Sequence, residues 1–477
     1  MMNTSISLQD VLATGPLTVV AVFALIVFLV ESLLRRTEEV TFWISVAGLV
    51  LAMAFAFQSI GSPGIAYAGM VTTGGYASYF AVVFCIAGIL SILLSKSYIR
   101  KVAIEHGEYY ALFLLAVLGM MLMAAAADLI IFFLGLEVMS LCFYILAGFS
   151  RTRAVSNEAA LKYFLLGAFA TGFLLYGIAL VYGTAGSTRL DVVLARVPSL
   201  TTSPVFLIGL GLLLVGLAFK VAAVPFHMWV PDVYEGAPTT VSAFMSTGGK
   251  AAAFSIFLLI FAPKIMVVVG PIRNILALVA ALSMIVGNIM ALSQTSVKRM
   301  LAYSSIAHAG YILVGIVAGN STGSSGVLFY LMAYTVMNVG AFGVLSIIES
   351  ADGKLLAYDD YAGLGETKPL IAGLMALFMF SLSGIPPFAG FFGKYYVFAG
   401  AVQAGYTWLA IVGVLMSVVS AYYYLRLVVL MYFKDQVSTM EAPVPGLGLA
   451  ALLLSALGLV GLGVFPSLVL NLIAHFF

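Results

Sequence analysis

The chain has 477 residues, of which 63% are hydrophobic and only 8% are charged. A soluble domain carries about 25% charged residues, so this composition excludes a soluble enzyme, a nucleic-acid-binding protein and a disordered scaffold. The net charge of +2 gives no sign of an acidic or basic partner. We therefore expect a membrane protein that crosses the bilayer many times.

The apolar segments are long enough for membrane-spanning helices, each of which needs roughly 20 apolar residues. Because these segments are continuous rather than alternating, they favour helices over membrane strands. The sequence predicts an all-α polytopic membrane protein with about fourteen transmembrane helices. The predicted spans cover residues 13–34, 40–60, 76–96, 108–126, 128–149, 157–184, 204–226, 239–262, 271–293, 300–319, 324–349, 368–401, 406–433 and 446–472.

Lysine and arginine are distributed unevenly over the connections between these spans. Connections after odd-numbered spans hold twelve of them, and connections after even-numbered spans hold four. Since such residues accumulate on the cytoplasmic side, we predict cytoplasmic odd-numbered connections and both termini on the outer side. The twelve residues are Arg35, Arg36, Lys96, Arg100, Lys101, Arg151, Arg153, Lys298, Arg299, Lys354, Lys368 and Lys434.

Proline interrupts the helical pattern twice, at Pro225 and at Pro386-Pro387. Both segments have the order small residue, aliphatic residue, proline, phenylalanine, and they lie five spans apart. Because five is odd, two equivalent five-helix units would be inverted relative to each other, as in many transporters. Chance agreement of two proline breaks is the alternative. The predicted division is 1–103 for helices 1–3, 104–263 for the first repeat, 264–436 for the second repeat and 437–477 for the last helix.

Several ionisable residues fall inside the predicted spans. A charge at the bilayer centre costs at least about 2.5–3.5 kcal/mol, so such residues are functional by default unless they reach the interface. They form a line of titratable groups on separate helices, which side chains and water can use to pass protons. The members of this line are Glu137, Lys220, Lys250, His308 and Lys394.

The first two members are predicted to be partners. Ser140 and Tyr144 share a helix face with Glu137, which places a carboxylate among hydroxyl groups. Lys220 precedes Pro225 by five residues, and a nearby carboxylate stabilises a buried ammonium group. Glu137 is the natural partner for Lys220, and a structural hydrogen bond between helices is the alternative role for Glu137.

The other basic residues differ in how strongly they point to function. Lys250 lies in the middle of a span among small residues, too far from either end to reach the interface easily. Lys394 follows the second break. The alternative to a proton-carrying role is that its side chain reaches the membrane–water interface. His308 fits a proton relay and a structural histidine equally well, and Lys162 fits a relay and an interfacial lysine equally well. Arg426 is interpreted as an interfacial anchor.

The sequence contains no metal-ligand spacing, no nucleophile–base motif and no dinucleotide-binding fingerprint. Redox chemistry therefore has no visible site in this chain. A proton path without a source of energy implies partner subunits.

The segment 219–239, FKVAAVPFHMWVPDVYEGAPT, strongly resembles the antiporter-like membrane subunits of respiratory complex I. Subunits L and M and the sodium/proton antiporters usually have Pro-Asp-Ala-His here, with an acidic residue before Ala-Pro. The run Pro-Asp-Val-Tyr-Glu-Gly-Ala-Pro at 231–238 instead resembles the subunit N branch, the counterpart of mitochondrial NADH dehydrogenase subunit 2. Lys394 agrees, since subunit M usually has glutamate there, and the length argues against subunit L.

The resemblance covers essentially the whole chain and implies roles for positions already selected. Glu137 and Lys220 would form the ion pair of the first half-channel. Lys250 would be the central lysine, and Lys394 would end the second half-channel. The remaining candidates are Lys162, which would link this subunit to its neighbour, and His227 and His308, which would belong to the hydrophilic axis.

The resemblance also implies the surroundings of the chain. Its partners would be the other complex I membrane-arm subunits in a bacterial inner membrane. NADH, FMN, iron–sulfur clusters and quinone would bind in partner subunits, and this chain would hold no cofactor. Three alternatives are a cation/proton antiporter subunit, a related quinone-reducing complex with another electron donor, and a structural subunit that carries no protons.

Overall fold

A computed structural model describes residues 7–34, 37–261, 263–436 and 444–476. Within these ranges, 12 helices are long and apolar enough to cross a membrane. The all-α polytopic architecture is therefore confirmed. Two of the predicted spans correspond to shorter apolar helices, Glu108–Ala124 and Pro369–Ser383, the second of which is cut short by a proline break. Arg35 and Arg36, used above to predict orientation, lie outside the described residues.

The first part of the chain consists of helices and one small antiparallel hairpin. A capping box between Ser7 and Asp10 starts the first helix. The helices are α1 (Leu8–Ala13), α2 (Gly15–Leu33), α3 (Glu38–Ser59) and α4 (Gly75–Lys101), and the strands β1 (Gly64–Ala66) and β2 (Val71–Thr73) flank a 3₁₀ turn at Tyr67–Gly69.

The middle of the chain contains the first proline break and a π-helical turn at Met245–Gly249. Its helices are α5 (Glu108–Ala124), α6 (Leu129–Ala147), α7 (Ala154–Ala185), α8 (Leu190–Leu200), α9 (Pro204–Val221), α10 (Trp229–Gly236), α11 (Thr239–Phe244), α12 (Lys250–Ile260) and α13 (Pro263–Val268).

The last part contains the second break and a 3₁₀ turn at Tyr358–Tyr361. Its helices are α14 (Gly270–Leu292), α15 (Val297–Ala318), α16 (Ser321–Ile348), α17 (Leu364–Thr367), α18 (Pro369–Ser383), α19 (Ala389–Gln403), α20 (Thr407–Phe433), α21 (Gly446–Val464) and α22 (Pro466–Ile473).

One local backbone arrangement occurs twice, 168 residues apart. The residue that caps the start of α6, Asp128, forms an isolated antiparallel bridge with Arg189, and the residue that caps α15, Ser296, forms the same bridge with Ala357. Both caps accept a hydrogen bond from the first turn of their helix, which satisfies an otherwise unpaired N–H. This recurrence agrees with the expected repeat, while the repeat boundaries and the inversion stay predictions.

The two proline breaks also share a backbone geometry. Ala222 after α9 and Gly384 after α18 are both left-handed, with φ of 62° and 89°. The next N–H in each case bonds back five residues, from Ala223 to Ala218 at 2.8 Å and from Ile385 to Phe380 at 3.1 Å. This is a Schellman closure, so both helices end definitively before the proline.

The centre of the bundle is formed by α11–α12, α15 and α16. In the most apolar stretch of each of these segments, 94%, 100% and 94% of the residues are buried. Helices α2, α7 and α20 lie at the periphery, since only 22–33% of the residues in their most apolar stretches are buried. The predicted residues Lys250 and His308 lie on the central helices and are themselves buried. These two polar candidates are therefore held inside the protein rather than facing lipid.

Candidate functional site

Lys220, in the last turn of α9, reaches across to hydroxyl groups on α6. Its Nζ donates to Ser140 Oγ at 2.7 Å and to Tyr144 OH at 3.4 Å. Nζ also lies 5.5 Å from the centroid of the Tyr144 ring, within the range of a cation–π contact. Lys220 is buried, so these neutral groups are its immediate surroundings.

The direct Glu137–Lys220 ion pair implied by the resemblance is not formed. Glu137 Oε1 accepts from Thr171 Oγ1 on α7 at 3.0 Å, and no ion pair within 4.0 Å joins it to Lys220 in the described chain. Ser140, three residues after Glu137 on α6, accepts the hydrogen bond from the Lys220 ammonium group instead. Ser140 donates its own proton to the Leu136 carbonyl at 2.6 Å, so its oxygen is free to accept from Lys220.

Lys250 is the first residue of α12 and follows the π-helical turn directly. Single π-helical turns inside helices occur frequently at functional sites. The buried Nζ donates to the backbone oxygen of Ser305 on α15. Among the described residues, Lys250 forms no ion pair with a carboxylate, so a backbone carbonyl is its sole hydrogen-bond acceptor there.

His308, three residues beyond Ser305 on α15, links three helices. Its Nδ1 lies 2.8 Å from Tyr330 OH on α16, and its Nε2 lies 3.1 Å from Tyr424 OH on α20. Tyr424 OH is in turn hydrogen-bonded to Ser304 Oγ. Both ring nitrogens are thus engaged with hydroxyl groups, each able to donate or accept a proton.

Lys394 lies one turn into α19 and folds back onto the end of α18. Its Nζ donates to the carbonyl oxygens of Leu382 and Ser383 at 3.2 and 2.9 Å. These are terminal carbonyls of α18, where a helix carries partial negative charge that favours a cation. Nζ also lies 4.8 Å from the centroid of the Tyr311 ring on α15.

Helix α15 brings together Lys250, His308 and Lys394, which we call the central group. Lys250 contacts it at Ser305, His308 belongs to it, and Lys394 contacts it at Tyr311. Six residues separate the two contact points, which is about 9 Å along a helix. The structure therefore places Lys250, His308 and Lys394 around one short stretch of one buried helix.

The wall of a cavity of about 740 Å³ includes Lys394. Ser383, Gly384, Thr407 and Ser417 also line it, together with apolar residues of α19 and α20. Lys394 thus lies between the other two members of the central group, Lys250 and His308, and an open space at the edge of the bundle.

Lys162 lies away from the central group, near the start of α7. Its Nζ forms ion pairs with Glu158 at 2.7 Å and with Asp232 at 2.8 Å, and Asp232 also pairs with Arg299 at 2.9 Å. With 42% of its side chain exposed, Lys162 lies on the outer surface of this chain. Asp232 belongs to α10, so this ion-pair network joins the second half of the broken helix to α7 and α15.

His227 lies in the break between α9 and α10 and is partly buried. Its Nδ1 is buried without a hydrogen-bond partner in the described chain. It forms no side-chain hydrogen bond or ion pair with another predicted site residue within the described ranges. The structure does not bring His227 into the central group.

Sequence reasoning missed the tyrosines and the asparagine that surround the central group. Tyr330 and Tyr424 bind His308, and Asn288 Nδ2 donates to Tyr311 OH at 3.0 Å. Tyr423 OH donates to the same asparagine at 2.9 Å. The chain has 24 tyrosines, so residue type alone cannot select these, although the run of three at 422–424 is a usable signal. Asp232 lies in the connection between the predicted spans 204–226 and 239–262, where an acidic residue is expected to be solvated.

No group of three or more His, Cys, Asp and Glu residues in the described chain could hold a metal ion. Cys85 and Cys142 are both buried and unpaired. An iron–sulfur cluster is usually held by four cysteines, twice the number this chain contains.

Known proteins match both the sequence and the fold. Residues 126–420 match the family model described as NADH:quinone oxidoreductase/Mrp antiporter, transmembrane. NADH-quinone oxidoreductase subunit N of Trichlorobacter lovleyi is 49% identical over 90% of this chain and 89% of its own length. Subunit N 1 of Chloroherpeton thalassium is 46% identical over 98% of both chains.

Among solved structures, a chain of respiratory complex I from Thermus thermophilus with bound aureothin matches with a TM-score of 0.84. It is 38% identical in sequence, and the match covers 96% of this chain and 99% of that chain. The chain therefore belongs to the NADH:quinone oxidoreductase/Mrp antiporter family, in its subunit N branch.

Proposed function

We propose that this chain is the proton-translocating subunit N of the membrane arm of an NADH–quinone oxidoreductase. Identities of 49% and 46% to curated subunit N proteins, over most of both chains, favour this branch over the cation/proton antiporters covered by the same family model. The twelve helices that are long and apolar enough to cross a membrane, within the described part of the chain, support a multi-pass membrane protein. We propose the bacterial inner membrane as its location, with both termini on the periplasmic side.

The observation that carries this proposal is the placement of three buried bases around one stretch of α15. Lys250, His308 and Lys394 each contact either hydroxyl groups or backbone carbonyls, and the described chain gives them no carboxylate partner. A buried charge is costly unless it is paired. A proton that reaches one of these groups is therefore held weakly, which is what transfer to the next group requires.

Lys220 and Glu137 act as the gate of the path. Glu137 lies on α6, three residues before the Ser140 hydroxyl that Lys220 of α9 contacts. The Glu137 carboxylate is itself bonded to Thr171, so the two charged side chains are not bonded to each other. When the two side chains join, the ammonium charge of Lys220 is neutralised. When they separate, that charge repels a proton at Lys250 and drives it towards His308 and Lys394.

Partner subunits supply the energy. Moving one charge against the membrane potential requires about 2.3 kcal/mol per 100 mV. We propose that NADH, FMN, iron–sulfur clusters and quinone bind in partner subunits and that quinone reduction there alters the Glu137–Lys220 gate. We propose that Lys162, on the outer surface, contacts the neighbouring membrane-arm subunit. We also propose that His227 belongs to the hydrophilic axis.

Replacing the gate carboxylate tests this function. In the assembled complex reconstituted into vesicles, we expect Glu137→Gln to lower NADH-driven acidification about tenfold or more, since proton-transfer groups contribute about 10²–10⁴-fold to rates. Glu108→Gln, at the exposed start of α5, is the matched control and should leave the rate unchanged. A normal amount of acidification per NADH oxidised in the Glu137 variant would contradict the assignment.

Purification in mild detergent separates the proposal from its alternatives. Co-migration with flavin and iron–sulfur subunits, with NADH as the electron donor, is the expected result. Isolation as a homo-oligomer that exchanges cations for protons would overturn it in favour of an antiporter. Co-migration with redox subunits that do not oxidise NADH would instead indicate a related quinone-reducing complex.

A further inference from the structure

A buried carboxyl group outside the predicted path lies at the C-terminal end of α16. The side chain of Glu349 is 0% exposed, and its Oε2 accepts from Thr239 Oγ1 at 2.5 Å. Its Oε1 lies 3.8 Å from Arg153 Nη1 and has no hydrogen-bond partner in the described chain. One carboxylate oxygen is thus buried beside a guanidinium group and receives no hydrogen bond in the described chain.

Basic groups from three elements surround this carboxyl group. Lys101, at the end of α4, donates to the backbone oxygens of Ser346 and Glu349 at 2.8 and 2.5 Å. Arg153 precedes α7, and the buried Lys298 of α15 interacts electrostatically with Glu349. The hydroxyls of Tyr98 and Tyr361 also lie within electrostatic range.

Exposed residues lie beside this site. Residues 351 and 352, directly after Glu349 and Ser350, are exposed, and 29% of the Arg153 side chain is exposed. Lys101, Arg153 and Lys298 are among the bases that predict the cytoplasmic side. Glu349 therefore lies just beneath the surface from which protons would be taken up.

Two hydrogen bonds show that the segment from α11 to α12 runs antiparallel to α16. Thr239 is bonded to Glu349, and Ser246 Oγ accepts from Asn338 Nδ2 at 2.8 Å. Lys250 follows one turn after Ser246. Eleven residues separate Thr239 from Lys250, about 16 Å along a helix. A proton moving from Glu349 to Lys250 therefore needs intermediate groups over this distance.

Four buried polar atoms at the Lys250 end of this interval have no hydrogen-bond partner in the described chain. They are Tyr234 OH, Ser305 Oγ, Tyr334 OH and Asn338 Oδ1. Tyr334 and Asn338 are one turn apart on α16, and Ser305 also supplies the carbonyl that binds Lys250. Buried polar atoms are nearly always hydrogen-bonded, so such a group fits ordered water molecules between its members.

We propose that Glu349 is the proton-uptake residue of this chain and that the group around Tyr334 and Asn338 connects it to Lys250. The carboxylate gains one proton from a hydronium ion at the surface, so that an O–H bond forms on Glu349 and the hydronium ion becomes water. That O–H bond then breaks as the proton moves into the protein through the intermediate groups. The proton binds to the neutral amine of Lys250, which becomes an ammonium group, and Glu349 is a carboxylate again. No electrons move in these steps, and the proposal rests on the proton-translocating function proposed above.

The test compares variants in the complete complex in vesicles. Glu349→Gln keeps the side-chain size and the acceptor for Thr239 but does not carry a proton as a carboxylate does. We expect it to lower NADH-driven acidification about tenfold, in the range of general acid–base contributions. Glu349→Asp, which keeps a carboxylate, should retain most of the wild-type rate of acidification. Asp352→Asn, an exposed carboxylate three residues on, is the matched control.

Lys250→Met separates failure of this inference from failure of the proposed function. If Glu349→Gln pumps like the wild type while Lys250→Met does not, Glu349 has a structural role and the uptake proposal is wrong. If both variants pump normally, the proposed function is wrong as well.

Tyr334→Phe keeps the proposal testable if the Glu349 variants fail to assemble. The hydroxyl it removes has no hydrogen-bond partner in the described chain, so folding should be unaffected. We expect acidification to fall several-fold while reduction of an artificial acceptor by NADH is unchanged. A wild-type rate of acidification in Tyr334→Phe would overturn the connection between Glu349 and Lys250.

Discussion

The two proline breaks have the same backbone geometry but hold their lysines in different ways. At the first break, Lys220 precedes the proline and is bonded across a helix interface to Ser140 and Tyr144 on α6. At the second break, Lys394 follows the prolines and is bonded to terminal carbonyls of α18, the other half of the same broken helix. One lysine therefore depends on how two helices are placed, and the other depends on a single local fold.

This difference suggests different roles for the two regions. Helix α6 has apolar residues at Leu134, Leu141 and Ile145, each about half exposed, so this face of α6 is open to lipid or to a neighbouring subunit. A small movement of α6 would change the surroundings of Lys220. The carbonyls that hold Lys394 would be unaffected, because they belong to its own broken helix. The first region is thus suited to switching and the second to accepting and releasing a proton.

The largest expected effect concerns the second region. Lys394→Arg preserves the positive charge and can still donate to the carbonyls of Leu382 and Ser383, but arginine does not release its proton in proteins. We therefore expect both Lys394→Arg and Lys394→Met to lower NADH-driven acidification about tenfold or more. The measurement is acidification of vesicles per NADH oxidised. Normal pumping by the arginine variant would mean that Lys394 only supplies a fixed charge.

A smaller effect is expected in the first region. Ser140→Ala removes the hydroxyl that accepts from Lys220, and a hydrogen bond to a charged group contributes about 1.5–3 kcal/mol. Without it, Lys220 should shift towards Glu137, so the gate closes more often and acidification falls, by less than in the Lys394 variants. Combining Ser140→Ala with Glu137→Gln should give a non-additive result. Additive effects would show that Ser140 does not act through the carboxylate.

The smallest effect is expected outside the membrane. The hydrogen bonds of Lys354 and Ser350 to Asp352 lower the pKa of that carboxyl from 3.8 to about 2. A lowered carboxyl pKa contributes stability that is present above about pH 4 and is lost as the pH falls towards 2. Because the pair is exposed, Asp352→Asn should change neither pumping nor assembly at neutral pH. A clear loss of pumping would show that charge in this connection matters as much as charge in the two breaks.

Much of the fold was predictable because continuous apolar runs and proline breaks leave few alternatives. The predicted span 128–149 corresponds to the helix Leu129–Ala147, and both breaks occur where the prolines predict them. The predicted span 368–401 is two helices, α18 and α19, because a Schellman closure and two prolines end the first of them. Each of these helices is shorter than the roughly 20 residues that cross a membrane.

The candidate site was predicted in part. The cost of burying charge selects Lys250 and Lys394 from the sequence, and both are buried. It cannot show which neutral groups satisfy them, so the Ser140 and Thr171 contacts that replace the Glu137–Lys220 ion pair were missed. Glu349 was missed for a different reason. It ends a predicted span, where an acidic residue is expected to be solvated, whereas tertiary packing buries it.

The central claim is that protons pass through the buried lysines of this chain, and Lys250 is the most direct place to test it. The measurement is the number of protons translocated per NADH oxidised by the complete complex in vesicles, for Lys250→Met and for the exposed control Lys354→Met. We predict a strongly reduced ratio or a stalled complex for Lys250→Met and a normal ratio for the control. An unchanged ratio in an assembled, active Lys250→Met complex would contradict it.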